Sequence, residues 1–204
     1  MKKYELTGEC KVYFGVTLRR IKSLIDFSDV KKGELGGFIE KEENLSHENN
    51  AWVYGNAEVS GDARVSGDAR VSGDAWVYGN AEVSGDARVS GDARVSGDAW
   101  VYGNAEVSGD AWVSGNAWVS GDAWVYGDAD YVLIGRIGSR FGFTTFFRNK
   151  NNEIYVSCGC FLGPLAEFRA AVREKHGTDT KFAKVYQVAA DLAELQIEHN
   201  GKAD

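Results

Sequence analysis

The chain has 204 residues, of which 30 are acidic and 23 are basic, so its formal net charge at neutral pH is −7. This balance argues against nonspecific nucleic-acid binding, which needs many lysines and arginines to neutralise phosphates. No apolar run approaches the about 18 residues of a membrane-spanning helix, and the N-terminus lacks the apolar segment of a signal peptide. The three cysteines suit a reducing compartment. We therefore expect a cytoplasmic protein without membrane contact.

Residues 1–50 are not repetitive, and we predict that they form an N-terminal β cap. Two β-prone segments on either side of Gly15 predict a hairpin. Leu45 and His47 occupy the first and third positions of an imperfect version of the repeat that follows. Because a solenoid needs an atypical terminal unit to cover its core, His47 is expected to be a packed cap residue and not a catalytic base.

Thirteen six-residue units of the form A-x-V-[SY]-G-[DN] then run without a gap from Ala51 to Asp128. In an extended strand the alanine and valine face one side and x faces the other, while glycine followed by Asp or Asn permits a corner. Three such units close one triangular coil, and stacked coils bury a continuous core. We therefore predict that residues 51–130 form a parallel β-helix, a hexapeptide solenoid of about four coils.

The outward x positions carry all six tryptophans of the chain. Residues eighteen apart should be vertical neighbours, so Trp112, Trp118 and Trp124 fall on three successive walls of one coil. Aromatic residues on every wall predict that these side chains are mostly buried, by the C-terminal segment or by a second subunit. We assign a hypothetical interface, with a homo-oligomer as the expected assembly, to four of them: Trp100, Trp112, Trp118 and Trp124.

Residues 131–204 abandon the repeat and predict a small α+β domain. Strands are expected in YVLIGRIG, TTFFRN and EIYVSCGCF, with a hairpin turn at Asn149–Asn152. Pro164 should open a first helix that stops at Gly177. A second helix over about 179–198 should bury one apolar stripe, made of Phe182, Val185, Val188, Ala189, Leu192 and Leu195.

One part of this domain mixes cationic, hydroxyl and aromatic side chains within thirteen residues. Guanidinium groups and hydroxyls suit phosphate, and aromatic rings suit bases. We therefore predict a site for an anion or nucleotide, with the Cys158–Cys160 strand beside it, formed by Arg136, Ser139, Arg140, Phe141, Phe143, Thr144, Thr145 and Arg148. The alternative is a solvated hairpin with packed phenylalanines.

We expect no metal site and no cofactor. Cys158 and Cys160 are too close together for the usual zinc spacing and have no partner pair, so ordinary strand packing is the expected role of these thiols. A vertical column of aspartates at Asp74, Asp92, Asp110 and Asp128 could collect cations, but its spacing differs from that of calcium solenoids.

The repeats, of which V-S-G-D-A-R is one form, resemble the left-handed parallel β-helix of hexapeptide-repeat proteins. The resemblance extends to the flanks, where DFSDVKKGELGGFIEKEENLSHE precedes the array and TTFF, VSCGCF and LAEF follow it. Together these segments look like bacteriophage and prophage hexapeptide-repeat proteins of the "polymer-forming" kind. The resemblance implies a viral protein in the cytoplasm of a bacterial host.

Three classes of function remain open. Hexapeptide-repeat acyltransferases use a histidine base on the solenoid wall, but the thirteen repeats contain no His, Cys or Lys, so we predict no catalytic residues and no enzyme activity. A self-assembling structural solenoid is a second possibility. We favour a noncatalytic phage-encoded binding protein that serves counter-defence, with a nucleotide-type host defence signal or a host defence protein as its partner.

Overall fold

The computed structural model describes residues 2–13 and 15–199. Its N-terminal part contains strands β1 (Tyr4–Tyr13), β2 (Val16–Ser23) and β3 (Leu35–Ile39), followed by a short 3₁₀ helix at Glu42–Asn44. β1 and β2 are antiparallel partners, as the predicted hairpin requires. The hairpin pairs with β3 through β2, so it extends one wall of the solenoid.

Each of the thirteen repeats contributes one two-residue strand, because the glycine corner leaves only x and Val in an extended ladder. These strands, β4 to β16 in chain order, are Trp52–Val53, Glu58–Val59, Arg64–Val65, Arg70–Val71, Trp76–Val77, Glu82–Val83, Arg88–Val89, Arg94–Val95, Trp100–Val101, Glu106–Val107, Trp112–Val113, Trp118–Val119 and Trp124–Val125.

Parallel pairing between residues eighteen apart stacks these strands into three walls. One wall has the order β1-β2-β3-β5-β8-β11-β14, the second β16-β13-β10-β7-β4 and the third β15-β12-β9-β6. The solenoid has about five turns, one more than the thirteen repeats alone predict. The extra turn comes from β3, which pairs in parallel with β5, and from Leu45, which bridges to Val65.

The core of the solenoid consists of the inward alanines and valines, all of which are buried as predicted. The corner glycines from Gly55 to Gly121 have φ between +59° and +75°, a region that is costly for residues with a Cβ. At Gly67 an added Cβ would also lie 2.9 Å from the backbone nitrogen of Gly85 in the next turn. The repeat therefore needs glycine both for the corner and for the close stacking of turns.

The C-terminal domain follows a second 3₁₀ helix at Asp128–Asp130. It consists of an antiparallel sheet in the order β17-β18-β19-β20 and two helices, with the bounds β17 Tyr131–Ile137, β18 Gly142–Arg148, β19 Ile154–Cys158, β20 Phe161–Pro164, α1 Leu165–His176 and α2 Lys181–His199. The helices match the sequence prediction closely.

The segment EIYVSCGCF is two strands and not the single strand that we predicted. Gly159 has φ +60°, and the chain reverses there between β19 and β20. Cys158 therefore ends one strand while Cys160 lies in the turn, so the two thiols do not share a strand face. The expectation of ordinary strand packing for both was wrong because the glycine corner was not recognised.

The C-terminal sheet closes the end of the solenoid. Phe147, on one face of β18, is fully buried in the Ala and Val core. The Trp118 backbone N–H donates to Thr145 Oγ1 at 3.0 Å, and Asn149 forms a β-bridge with Ala123. The opposite face of the sheet packs Phe146 against the two helices. The sheet is thus a shared layer between the solenoid core and a second core under α1 and α2.

Within this chain Trp112, Trp118 and Trp124 are not mostly buried, contrary to our prediction. Trp100, Trp112, Trp118 and Trp124 keep 41, 45, 39 and 46% of their surface exposed. The C-terminal domain lies along the solenoid axis and covers the open core, whereas the x side chains project away from that axis. Their burial by a second subunit stays a prediction.

The buried stripe of α2 also differs from the prediction. Its buried residues are mostly alanines, which let the helix lie close to β17 and α1. Of the predicted stripe, Ala189 is buried and Val185 half-buried, while the exposed members are Phe182, Val188, Leu192 and Leu195. Among the helices of the described ranges, none is long and apolar enough to cross a membrane.

Candidate functional site

A cavity of about 150 Å³ lies at one end of the C-terminal sheet. The turn before β18, the Gly159 turn and both helices surround it. We call it the Arg140 pocket. Its polar and aromatic lining includes Ser139, Arg140, Phe143, Cys158, Cys160, Phe161, Phe168, Lys175, His176 and Tyr186. The predicted site residues Ser139, Arg140 and Phe143 therefore meet here, together with both thiols.

Tyr186 of α2 forms one side of this pocket. Gly138, with φ +72°, passes so close to it that a Cβ at this position would collide with the phenol. The Tyr186 ring packs edge-on against Phe168 at 5.6 Å and stacks on His176 at 5.9 Å between centroids. These contacts hold the phenol beside the turn that carries Ser139 and Arg140.

The ionisation of Tyr186 reflects this setting. Burial, and then the neighbouring Cys158, raises the pKa of the phenol to about 12, while Arg140 acts in the opposite direction. At neutral pH the phenol is therefore protonated and can donate a hydrogen bond. Cys158 is held at the pocket wall, since Thr144 Oγ1 donates to its sulfur at 3.2 Å.

The charge of the lining is of one sign. Arg140 and Lys175 are cationic, and the lining contains no carboxylate. In the part of the chain that the structure describes, Arg140 and Lys175 have no ion pair with an acidic side chain. An acidic protein thus places two cationic side chains at one small cavity, which is an arrangement suited to an anion.

Five of the eight predicted site residues lie outside this lining. The Arg148 guanidinium donates to Asp130 at 2.8 Å, to Asn152 and to the Ile197 carbonyl, so it ties the sheet to α2. Thr144 and Thr145 are buried within the sheet, the former bonded to Cys158 and the latter to the Trp118 backbone. Arg136 and Phe141 are exposed, each with φ near +50°. The prediction placed one sequence segment on one surface. The side chains of β18 instead alternate between the solenoid core and the core under the two helices.

A second cavity of about 240 Å³ adjoins the first on the solenoid side of the sheet. We call it the Trp118 pocket. It is lined by Asn116, Trp118, Gly142, Phe143, Thr145, Ser157 and Gly159. Gly142, Phe143 and Gly159 line both cavities, so the two sites share a wall at the end of the sheet.

The N-terminal cap holds the other buried ionisable groups. Lys3 is buried, its Nζ donates to the Ala51 carbonyl at 2.8 Å, and burial lowers its pKa to about 8. His47 stacks on Tyr4 at 4.3 Å and accepts a hydrogen bond from the Lys3 backbone N–H at 3.2 Å. These contacts are those of a packed cap residue. Within residues 2–13 and 15–199, no group of three or more His, Cys, Asp or Glu residues could hold a metal ion.

Comparison with known proteins identifies the repeat. The profile of the "YdcK Beta solenoid repeat" family matches residues 63–79, 87–103 and 111–127. The chain is also similar to the "Uncharacterized acetyltransferase YdcK" of Escherichia coli (strain K12), with 37% identity over 62 residues, covering 26% of this chain and 19% of the relative. The chain thus spans about a fifth of that relative's length. Both findings and the structure make this chain a hexapeptide-type repeat protein with a YdcK-like β-solenoid.

Proposed function

We propose that this protein binds a phosphate-bearing anion in the Arg140 pocket and does not transform it. The observation that carries the proposal is the lining itself. Arg140 from a turn and Lys175 from α1 both line this cavity, and no carboxylate lines it. Charge-assisted hydrogen bonds from such groups are the strong ones in anion recognition.

The neutral donors fit the same ligand. The Tyr186 phenol is protonated at neutral pH, and the Ser139 hydroxyl lies on the same rim. A cavity of about 150 Å³ is smaller than the roughly 300 Å³ at which small-molecule sites begin. It therefore suits the charged end of a ligand whose remainder lies outside it.

Binding without turnover is the simpler use of these groups. Holding an anion requires donors that are already in place, whereas cleavage requires an activated nucleophile or a bound metal ion. The resemblance to phage proteins then supplies the setting. In the cytoplasm of an infected bacterium, the protein would sequester a nucleotide-type host defence signal. The competing version is that the same surface docks a host defence protein.

Acetyl transfer is the second candidate, because the matched relative carries "acetyltransferase" in its name. The matched family segments lie within the repeats, whose walls contain no His, Cys or Lys. We expect no acetyl-CoA hydrolysis and no acetyl transfer to amine or hydroxyl acceptors, and no effect of His47→Ala on the background rate. Acetyl-CoA turnover that is abolished by His47→Ala would support the acetyltransferase hypothesis instead.

Self-assembly is compatible with binding. End-to-end stacking of solenoids is disfavoured because the C-terminal sheet closes one end and the N-terminal cap lies at the other. Side-by-side contact is favoured by the exposed tryptophans and by the exposed apolar residues of α2. We propose a homo-oligomer on this ground, which size-exclusion chromatography with light scattering would measure.

The test of anion binding uses two neighbouring arginines. Tripolyphosphate and a set of linear and cyclic nucleotides should raise the melting temperature of the wild-type protein by mass action. Arg140→Ala should weaken this binding by about tenfold or more, since it removes a charged donor. Arg136→Ala is the matched control, because Arg136 is exposed and outside the lining, and it should bind as the wild type does.

Two outcomes would contradict the proposal. Equal losses in both variants would show that general charge, and not the pocket, holds the anion. The absence of any shift in the wild-type protein, together with a host protein that co-purifies with it, would favour the docking version.

A further inference from the structure

The outer wall of the solenoid that contains β12 and β15 ends in a pair of stacked tryptophans. Trp100 and Trp118 are parallel within 9°, and their ring centroids are 5.3 Å apart. Trp118 belongs to the last strand of this wall, so Trp100 covers the ring on the side of the preceding turn. The C-terminal sheet follows this last strand, since the Trp118 backbone N–H donates to Thr145 of β18, and Trp118 lines the Trp118 pocket together with residues of that sheet.

The Trp118 pocket has the character of a site for a flat ring. Trp118 and Phe143 contribute aromatic surface, while Asn116 and Ser157 contribute polar groups. Asn116 Nδ2 donates to Asp98 at 3.4 Å, which directs its amide toward the corner of the preceding turn. Because every nucleobase has a π-face, an aromatic side chain can bind bases by stacking without reading their identity.

The two pockets adjoin each other at the end of the sheet. They share Gly142, Phe143 and Gly159, while the cationic side chains line the Arg140 pocket and Trp118 lines the other. Together they reach the roughly 300 Å³ at which small-molecule sites begin. A Cβ added at Gly142 or Gly159 would meet no atom within 4 Å, so the space beside these shared residues is open.

We propose that Trp118 is a base-stacking residue, so that a nucleotide spans the two pockets with its phosphates at Arg140 and its base on the free face of the Trp118 ring. This inference rests on the proposed anion site and adds the subsite that holds the base. The solenoid wall is then part of the binding site, and the stacked pair of Trp100 and Trp118 contributes to ligand binding.

The experiment compares three probes by isothermal titration calorimetry: ATP, tripolyphosphate and adenosine. The wild-type protein should bind ATP more tightly than tripolyphosphate, and adenosine weakly. Trp118→Leu should weaken ATP binding by about tenfold and leave tripolyphosphate binding unchanged. Trp118→Phe, which keeps an aromatic face, should retain most of the ATP affinity.

The matched control is Trp124→Leu. Trp124 occupies the same x position of its repeat and is similarly exposed, but it lies on another wall, so its loss should leave all three affinities unchanged. Thermal melting of each variant checks that the fold is intact. If ATP and tripolyphosphate bind the wild type equally, or if Trp118→Leu binds ATP as the wild type does, the base subsite is refuted while the anion site stands. If neither ATP nor tripolyphosphate binds, the anion site itself fails.

Discussion

We expect Val89→Asp to unfold the solenoid. Val89 is fully buried in a middle turn, where it stacks between Val71 and Val107 of the neighbouring turns. The surrounding core contains only alanine and valine side chains, which offer no partner to a carboxylate. Burying an unpaired charge or its neutral acid in such a place costs about 4 kcal/mol or more. Circular dichroism during thermal and urea unfolding measures the effect.

The matched control introduces the same aspartate one residue earlier. Arg88 is exposed on the outer wall, so Arg88→Asp should change the free energy of unfolding by no more than about 0.5 kcal/mol. A Val89→Asp protein that unfolds at the same midpoint as Arg88→Asp would contradict the assignment of inward and outward positions.

Removing residues 131–204 should cause aggregation. The deletion takes away Phe147, which closes the Ala and Val core, and the Thr145 hydroxyl that accepts from the Trp118 backbone. The last turn would then expose an apolar core and unpaired strand edges, which are templates for association between chains. Light scattering during size-exclusion chromatography measures the result. A truncated chain that stays monomeric with an unchanged melting temperature would show that the sheet is not needed as a cap.

Substitutions at two phenylalanines of this domain test whether the truncation acts by removing the cap or merely by removing residues. Phe147→Asp should reproduce much of the truncation's instability, because it places a charge in the sealed end of the core. Phe141→Asp should have little effect, since Phe141 is exposed in a turn. Equal behaviour of the two variants would locate the cap elsewhere.

The solenoid was predictable because the sequence pattern that specifies it is local and repeated. Each hexad specifies one strand and one corner, and the phase of thirteen valines fixes which side chains are buried. The extra turn was missed because β3 and Leu45 do not carry the repeat, although they pair with strands that do. Likewise, a lone glycine at position 159 gave no periodic signal that the chain reverses there.

Errors about burial came from contacts between distant parts of the chain. The position of the C-terminal domain on the axis, and not over the walls, decides that Trp112 and Trp124 are exposed. In α2, apolar periodicity favoured the large residues, but close approach to β17 and α1 selected the alanines. Neither outcome follows from a pattern within one segment.

The candidate site could be predicted only in part, because some of its residues are distant in sequence. Ser139, Arg140 and Phe143 are close in sequence, so their clustering was visible. Lys175, His176 and Tyr186 come from α1 and α2, and only the folded domain brings them to the same cavity. The sequence predicted an outward position and an interface role for Trp118, but its position beside the sheet depends on where the solenoid ends.

The most direct test of nucleotide binding across the two pockets is a crystal structure of the full chain grown with a nucleoside triphosphate. We predict phosphate density at Arg140, Lys175 and Tyr186, with the base stacked on the side of the Trp118 ring that faces away from Trp100. Density for the nucleotide at any other place, or well-ordered empty pockets at a concentration that saturates binding in solution, would contradict it.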